Sequence, residues 1–191
     1  METTSTSQKL LEAYARGQRD FYHWDLAGAD LAEADLADID LRGGRLRGVN
    51  LAGANLENAV FAGADMNEAD LSEADLSDAV LAYASLKGAN LHAADLSGAD
   101  LEEANLTSAD LTEATLQDAF LDGAELKHAQ LDGADLTGAS LDDTDLTGTD
   151  LSNAILSDES LDGAFWAGEE PHGQHAQLEG EAETEADDLG E

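Results

Sequence analysis

Every fifth residue from Leu26 to Leu161 is leucine, apart from Phe61 and Met66, and the register never slips. A five-residue period matches neither the 3.6-residue spacing of an amphipathic helix nor the alternation of a strand, so the backbone must return the same side-chain direction once per unit. The pattern therefore predicts a solenoid, and function on such a scaffold belongs to a repeated surface. Between Trp24 and Trp166 the chain divides into 29 consecutive units. The central column is Leu in 26 of them; the column two residues earlier is Ala in 22, departing at Trp24, Ile39, Gly44, Val49, Thr144, Thr149 and Glu159. Between these columns lies Asp or Asn in 17 units, and the two columns after Leu vary freely among small, polar and charged residues, as solvent-facing positions do. Two columns point inward and three outward.

The period stops at both ends. Residues 5–17 read as a short helix: Ser5 and Gln8 have capping-box spacing, Leu10, Leu11 and Tyr14 share a face, and Gly17 closes it. Residues 1–20 are expected to form an N-terminal cap, since a solenoid exposes its terminal coil and repeat proteins cover it with a polar-faced element. Phe21, Tyr22 and Trp24 are placed to plug that end, and the repeat itself runs over 21–167. From Gly168 the chain carries nine acidic residues, no basic ones and Pro171, so 168–191 is expected to be an acidic, disordered tail.

The units AGADL, AEADL, AGANL, EEANL and TSADL resemble the A(D/N)LXX consensus of pentapeptide-repeat proteins over about three quarters of the chain. The resemblance implies an all-β fold, a right-handed quadrilateral β-helix with four units per coil and the Leu and Ala columns filling its interior. At about 4.8 Å between stacked strands, about seven coils would make a rod roughly 34 Å long. The opening LLEAYARGQRDF also looks like the N-terminal cap of bacterial members. Some members dimerise through their C-terminal ends, so Phe165 and Trp166 are candidates either to cover the last coil or to face a second copy. Stacked Leu side chains are each worth roughly 1.5–3 kcal/mol when buried, and Asp or Asn beside them can accept hydrogen bonds at the turns.

With four units per coil, residues twenty apart share a face. On the face of Leu41, Phe61, Leu81, Leu101 and Leu121, the usual Asp becomes Val60, Val80 and Phe120, with Tyr83 beside them; Asp100 interrupts this outward apolar patch, a candidate partner contact. Acid occurs on all four faces, with Asp30, Glu33, Asp70, Glu73, Asp110 and Glu113 on one and Asp35, Asp38, Asp75, Asp78 and Asp95 on the next. Arg42, Arg45 and Arg47 fall in one coil around Gly43 and Gly44, a local irregularity in charge and in the Ala column.

Charge narrows the partners. The net charge is −35, from 43 acidic and 8 basic residues, so direct nucleic-acid binding is disfavoured and a protein with a basic surface is favoured. The apolar fraction of 42% is mostly Ala and Leu with only 5% aromatic, which suits a stack of small and medium side chains. No cysteine is present, excluding disulfides, thiolate metal sites and cysteine nucleophiles and suiting a reducing cytosol. No signal-like or membrane-spanning apolar run occurs, so a cytoplasmic location off the membrane is expected. His23, His92 and His128 lack ligand spacing, His172 and His175 lie in the tail, and no Gly-rich phosphate loop or nucleophile with its base is present. No metal, no cofactor and no enzymatic activity are therefore expected.

Three explanations of the surface remain. A narrow, strongly negative rod presents electrostatics like those of duplex DNA, and the resemblance includes quinolone-resistance members that bind type II topoisomerases such as DNA gyrase; this repeat has no insertion and is similar to the loop-free members of that type. Alternatively the chain is an interaction scaffold or regulator acting through the apolar patch. The acidity itself also suits solubility or adaptation to high salt.

Overall fold

The five-residue unit is a hydrogen-bonding unit before it is a packing unit. Around Leu71, the Asp70 N–H donates to Val49 O in the preceding coil at 2.9 Å, Leu71 N–H to Asn90 O in the next at 2.7 Å, and Glu73 N–H to His92 O at 2.9 Å. Ala74 N–H closes a turn onto Leu71 O at 3.1 Å. Four of the unit's five N–H groups are thus taken by backbone. The fifth, on Ser72, donates to Asp70 Oδ1 at 3.1 Å. A buried or half-buried donor without a partner costs about 1–3 kcal/mol, which explains why Asp or Asn dominates this column.

The computed structural model of the protein describes residues 5–157, 163–165 and 177–178. Parallel bridges join each ladder residue to the one twenty positions on, for example Asp30 to Asn50, Asn50 to Asp70 and Asp75 to Asp95. Four five-residue units therefore make one turn of a four-sided coil. We number its sides by their Leu positions: the first face holds Leu41, Phe61 and Leu81, the second Leu46, Met66 and Leu86, the third Leu51, Leu71 and Leu91, and the fourth Leu56, Leu76 and Leu96. Each side contributes a single ladder residue before the chain turns, so pairing takes the form of isolated bridges. Among the described residues only β1 (Ile155–Leu156) and β2 (Gln177–Leu178) form strands, paired in parallel.

The turn sets a second constraint. The residue two after Leu has positive φ in unit after unit, including Glu73 (57°), Tyr83 (61°) and Ala93 (54°). Positive φ at the third position of a four-residue turn, closed here by the Ala N–H to Leu O bond, is the type II arrangement. The column is therefore free in side chain but fixed in backbone.

The core holds the two expected columns. Leu26 to Leu146 and Leu156 are buried, as are the Ala residues of their column from Ala54 to Ala154; Ala29 and Ala34 in the first units and Ala164 at the far end are only partly covered. Where Thr replaces Ala, its hydroxyl finds a carbonyl: Thr144 Oγ1 donates to Leu121 O and Thr149 Oγ1 to Leu126 O, both at 2.7 Å. No buried side-chain nitrogen or oxygen among the described residues lacks a partner.

At the N-terminal end, α1 (Thr6–Ala15) begins where Ser5 Oγ accepts from Gln8 N–H at 3.2 Å. The expected capping box is half-built, because the Gln8 side chain turns to Glu12 instead of back to Ser5. Leu10 is buried in the core cluster, and Tyr14 Oη donates to Ala37 O at 2.8 Å. Of the three aromatics expected to plug this end, Phe21 is buried and meets Trp24 edge to face at 5.0 Å. Tyr22 instead stands outside, its hydroxyl donating to Asp20, because the residue after the inward position points away from the core.

At the other end the step changes. Ile155 pairs with Gln177, a spacing of 22 residues where the repeat uses twenty. Apart from that pair, the tail expected over 168–191 lies outside the described residues, as does Trp166.

Candidate protein-binding surfaces

Sorting the outward residues by face separates four chemistries. The third face carries eight acids between Asp30 and Asp150, namely Asp30, Glu33, Asp70, Glu73, Asp110, Glu113, Asp132 and Asp150, and no Lys or Arg. The fourth also carries eight: Asp35, Asp38, Glu57, Asp75, Asp78, Asp95, Asp118 and Asp135, again with no cation. The second face is nearly balanced, with Arg45, Arg47, Lys87 and Lys127 against five acids. Its cations are paired in part: Arg47 to Glu68 at 2.6 Å, Lys127 to Asp145 at 3.0 Å and Arg45 to Asp25 at 3.6 Å. The first face also carries eight acids, Asp20, Asp40, Asp100, Glu102, Glu103, Asp122, Asp142 and Asp143, beside Arg42, so acid stands on all four sides as expected and what sets the third and fourth apart is that they carry no cation.

How the fold tolerates this charge is visible in its ladders. The third-face column reads Asp30, Asn50, Asp70, Asn90, Asp110, Gln130, Asp150, so carboxylates stand two coils apart, about 9.6 Å. That is close to the screening length of about 10 Å at 0.1 M salt. The intervening amides act as bridges, Asn50 Nδ2 donating to Asp30 Oδ1 and Asn90 Nδ2 to Asp70 Oδ1, both at 3.0 Å. Glu33, Glu73 and Glu113 alternate likewise with Gly53, Ala93 and Gly133. Capping also favours the ionised form. Both bonds from Ser152 hold Asp150 below the usual carboxylate range; burial pushes Asp135 up, but bonds from Thr137 and Gln117 together outweigh it and leave it lowered.

The first face is divided along its length. At its N-terminal end Arg42 forks onto Asp40 and lies over the Tyr22 ring, centroid 5.0 Å away. Below them the ladder runs Asp40, Val60, Val80, Asp100, Phe120, Ser140. The structure does bring the four sequence-predicted contact residues to one face, in unequal degree. Phe120 and Tyr83 are 50% and 61% exposed, while Val60 and Val80 are half-buried and Ala82 is nearly covered. At the far end Asp100, Glu102, Glu103 and Asp122 gather around Phe120.

The pentapeptide-repeat profile matches eight copies across residues 20–48, 45–82, 84–123 and 121–158. The chain belongs to the pentapeptide-repeat family. Among solved structures this pentapeptide-repeat protein is similar to HetL from the cyanobacterium Nostoc sp. strain PCC 7120, a protein involved in heterocyst differentiation regulation. The two share 30% identity over 86% of this chain and 91% of HetL, with a TM-score of 0.62. Rfr23 from the cyanobacterium Cyanothece 51142 follows at 24% identity over 80% of this chain and 99% of its own, TM-score 0.43. QnrB1, a plasmid-mediated fluoroquinolone resistance protein, matches at 21% identity over 77% and 79% of the two chains, TM-score 0.36. Comparison with curated protein sequences finds no match.

The remaining predicted residues of this pentapeptide-repeat rod are placed as follows. Phe165 bridges Asp145 in the outward column of the second face and is 56% exposed. Among the described residues no group of three His, Asp or Glu side chains converges to hold a metal ion, and no helix is long and apolar enough to cross a membrane. Arg42, Arg45 and Arg47 each meet a local carboxylate, so the charge irregularity of that coil is balanced within the rod.

Proposed function

We propose that this chain is a non-enzymatic, protein-binding rod whose third and fourth faces present the electrostatics of a DNA duplex to a basic DNA-binding enzyme, a type II topoisomerase such as DNA gyrase being the candidate. The observation that carries the reading is charge per length. Eight acids on each of two adjacent, cation-free faces span six coils, roughly 29 Å, or about one negative charge per 1.8 Å. Duplex DNA carries one per about 1.7 Å of axis. The density matches, whereas the spacing of about 9.6 Å along the third-face ladder and the uneven run Asp35, Asp75, Asp95, Asp135 along the fourth do not copy phosphate positions, so recognition would be steering into a basic channel more than atom-by-atom mimicry. The balanced second face would turn away from such a partner.

The repeat supplies a clean test. Asn caps the turn as Asp does, at Asn50, Asn55, Asn90 and Asn105, so Asp→Asn in this column removes charge without removing the cap. The fourfold variant Asp70→Asn, Asp75→Asn, Asp110→Asn, Asp135→Asn should melt within a few degrees of the parent. Gyrase supercoiling at low salt should be inhibited by the parent at micromolar concentration and spared by the variant. Equal effects of the two proteins, or no effect of the parent, would remove this reading.

A second reading is favoured by the likeness to HetL, whose involvement in regulation suggests a scaffold acting through a specific contact. Here the first-face patch matters more than net charge, and acidity serves solubility or life in salt. Melting from low salt to molar KCl separates that use of the charge: salt adaptation predicts a large gain in stability, and mimicry predicts little change.

A further inference from the structure

The first face differs from the others in what its turns leave undone. Where Val60, Val80 and Phe120 replace Asp, no side chain accepts from the N–H groups of Ala62, Ala82 and Asp122. Elsewhere a lost cap is sometimes restored from the coil before: at Ser85 and Ser140, Asn67 Oδ1 takes the Lys87 N–H at 2.9 Å and Asp122 Oδ1 the Asp142 N–H at 3.0 Å. Single uncapped turns occur on every face. Ala62 and Ala82 are the one case among the described residues where two successive turns of a ladder are both left open. These donors lie beside Val60 and Val80 and await acceptors that the chain does not supply.

Tyr83 adds an independent observation. It is a bulky residue at φ 61°, a conformation favouring Gly, Asn and Asp, is 61% exposed, and its side chain makes no hydrogen bond. One coil earlier the same slot is Gly63, above which the space is open. The coil imposes this backbone on every unit, so what sets Tyr83 apart is its large exposed ring, and an exposed aromatic beside an apolar ladder is what a contact surface requires.

We propose that this strip docks a short segment of another protein that is apolar at one end and cationic at the other. The inference rests on the second reading above, that the first face is a contact, and names its partner's chemistry. Aliphatic side chains would cover Val60 and Val80 against Tyr83, amide or hydroxyl acceptors would take the Ala62 and Ala82 N–H groups, and Lys or Arg would meet Asp100, Glu102, Glu103 and Asp122 around Phe120. From Val60 to Phe120 is three coils, about 14 Å, which roughly ten residues of helix would span. A second copy of this chain is the poorer occupant, because two chains of net charge −35 repel each other.

The test uses the full chain and two fluorescent synthetic peptides of identical composition, roughly ten residues each. One has Leu and Asn in its first half and Lys in its second; the other interleaves them. Anisotropy at moderate salt should show the block peptide binding at least fivefold more tightly. Tyr83→Asn, which relieves the backbone, should raise the melting temperature while abolishing that preference, and Val80→Glu should abolish it although it adds negative charge. The variant with four Asp→Asn changes on the third and fourth faces should keep it. The proposal is overturned if neither peptide binds, if both bind equally, if the preference survives Tyr83→Asn and Val80→Glu, or if sedimentation shows a dimer that Val80→Glu dissolves. Because gyrase inhibition is read separately, failure here leaves the duplex-like reading standing, and failure there leaves this one.

Discussion

The ladders of the third and first faces are built on the same backbone and differ in one column. On the third face Asp30, Asn50, Asp70, Asn90 and Asp110 each accept the N–H two residues on, and the surface above them is charged and uniform. On the first, Val60 and Val80 leave that N–H open, and the surface is apolar, aromatic and mixed. The contrast shows what the Asp/Asn column is for. It satisfies the one donor per unit that the coil cannot satisfy itself, and Asn does this as well as Asp. Choosing Asp over Asn is then a choice about charge, and giving up both leaves a donor open, as at Val60 and Val80 on the first face and at Arg45, Thr115, Glu125 and Gln130 on the others.

The largest effect should come from the part both faces share. Leu91→Asp places an unpaired carboxylate in the middle of the stack, with a loss on the order of 4 kcal/mol, read as a collapse of the cooperative melt. Tyr83→Asn should do the reverse on the first face, stabilising by about 0.5–1 kcal/mol in urea titration, because Asn tolerates the left-handed slot and little contact is lost. Val80→Asn should be more stable than Val80→Ala by up to about 1 kcal/mol, since only Asn closes the Ala82 N–H; equal stability would mean that the open donor is no liability. The smallest effect is acid-dependent. The Asp150 carboxyl is lowered by its Ser152 bonds, so its contribution is present above the ordinary carboxylate pKa and lost as pH falls through the lowered one. Ser152→Ala should therefore differ from the parent near neutral pH and converge with it only once the pH has fallen below the lowered Asp150 carboxyl.

The Leu and Ala columns were legible in the sequence because burial admits few residue types, and a strict period in them dictates the coil. The patch at Val60, Val80, Tyr83 and Phe120 was legible for the same reason inverted, as apolar residues breaking an acidic column. The backbone requirement two residues after Leu was not. Side chains there range from Gly to Tyr, and a positive φ shows only as enrichment in Gly, Asn and Asp, which reads as solvent exposure. The forty-residue alternation of Asp30, Asp70 and Asp110 was hidden by folding the sequence at twenty, which places charged and neutral residues in one class. Phe165, a candidate end cap or dimer contact, stands in an outward column, which follows from its position just before an inward residue of the period. The pairing of β2 with β1 at a 22-residue step had no signal, since no repeat reaches Gln177.

The most direct test of the central claim is the urea stability of Asp70→Asn beside Asp70→Ala. Asp70 accepts from Ser72 N–H, Ser72 Oγ and Asn90 Nδ2. If the column exists to satisfy the fifth backbone donor, Asp70→Asn should lie within about 0.5 kcal/mol of the parent and Asp70→Ala should lose about 1–2 kcal/mol. Equal losses in the two variants would show that the charge and not the cap is what the fold requires, and no loss in either would show that the donor needs no partner.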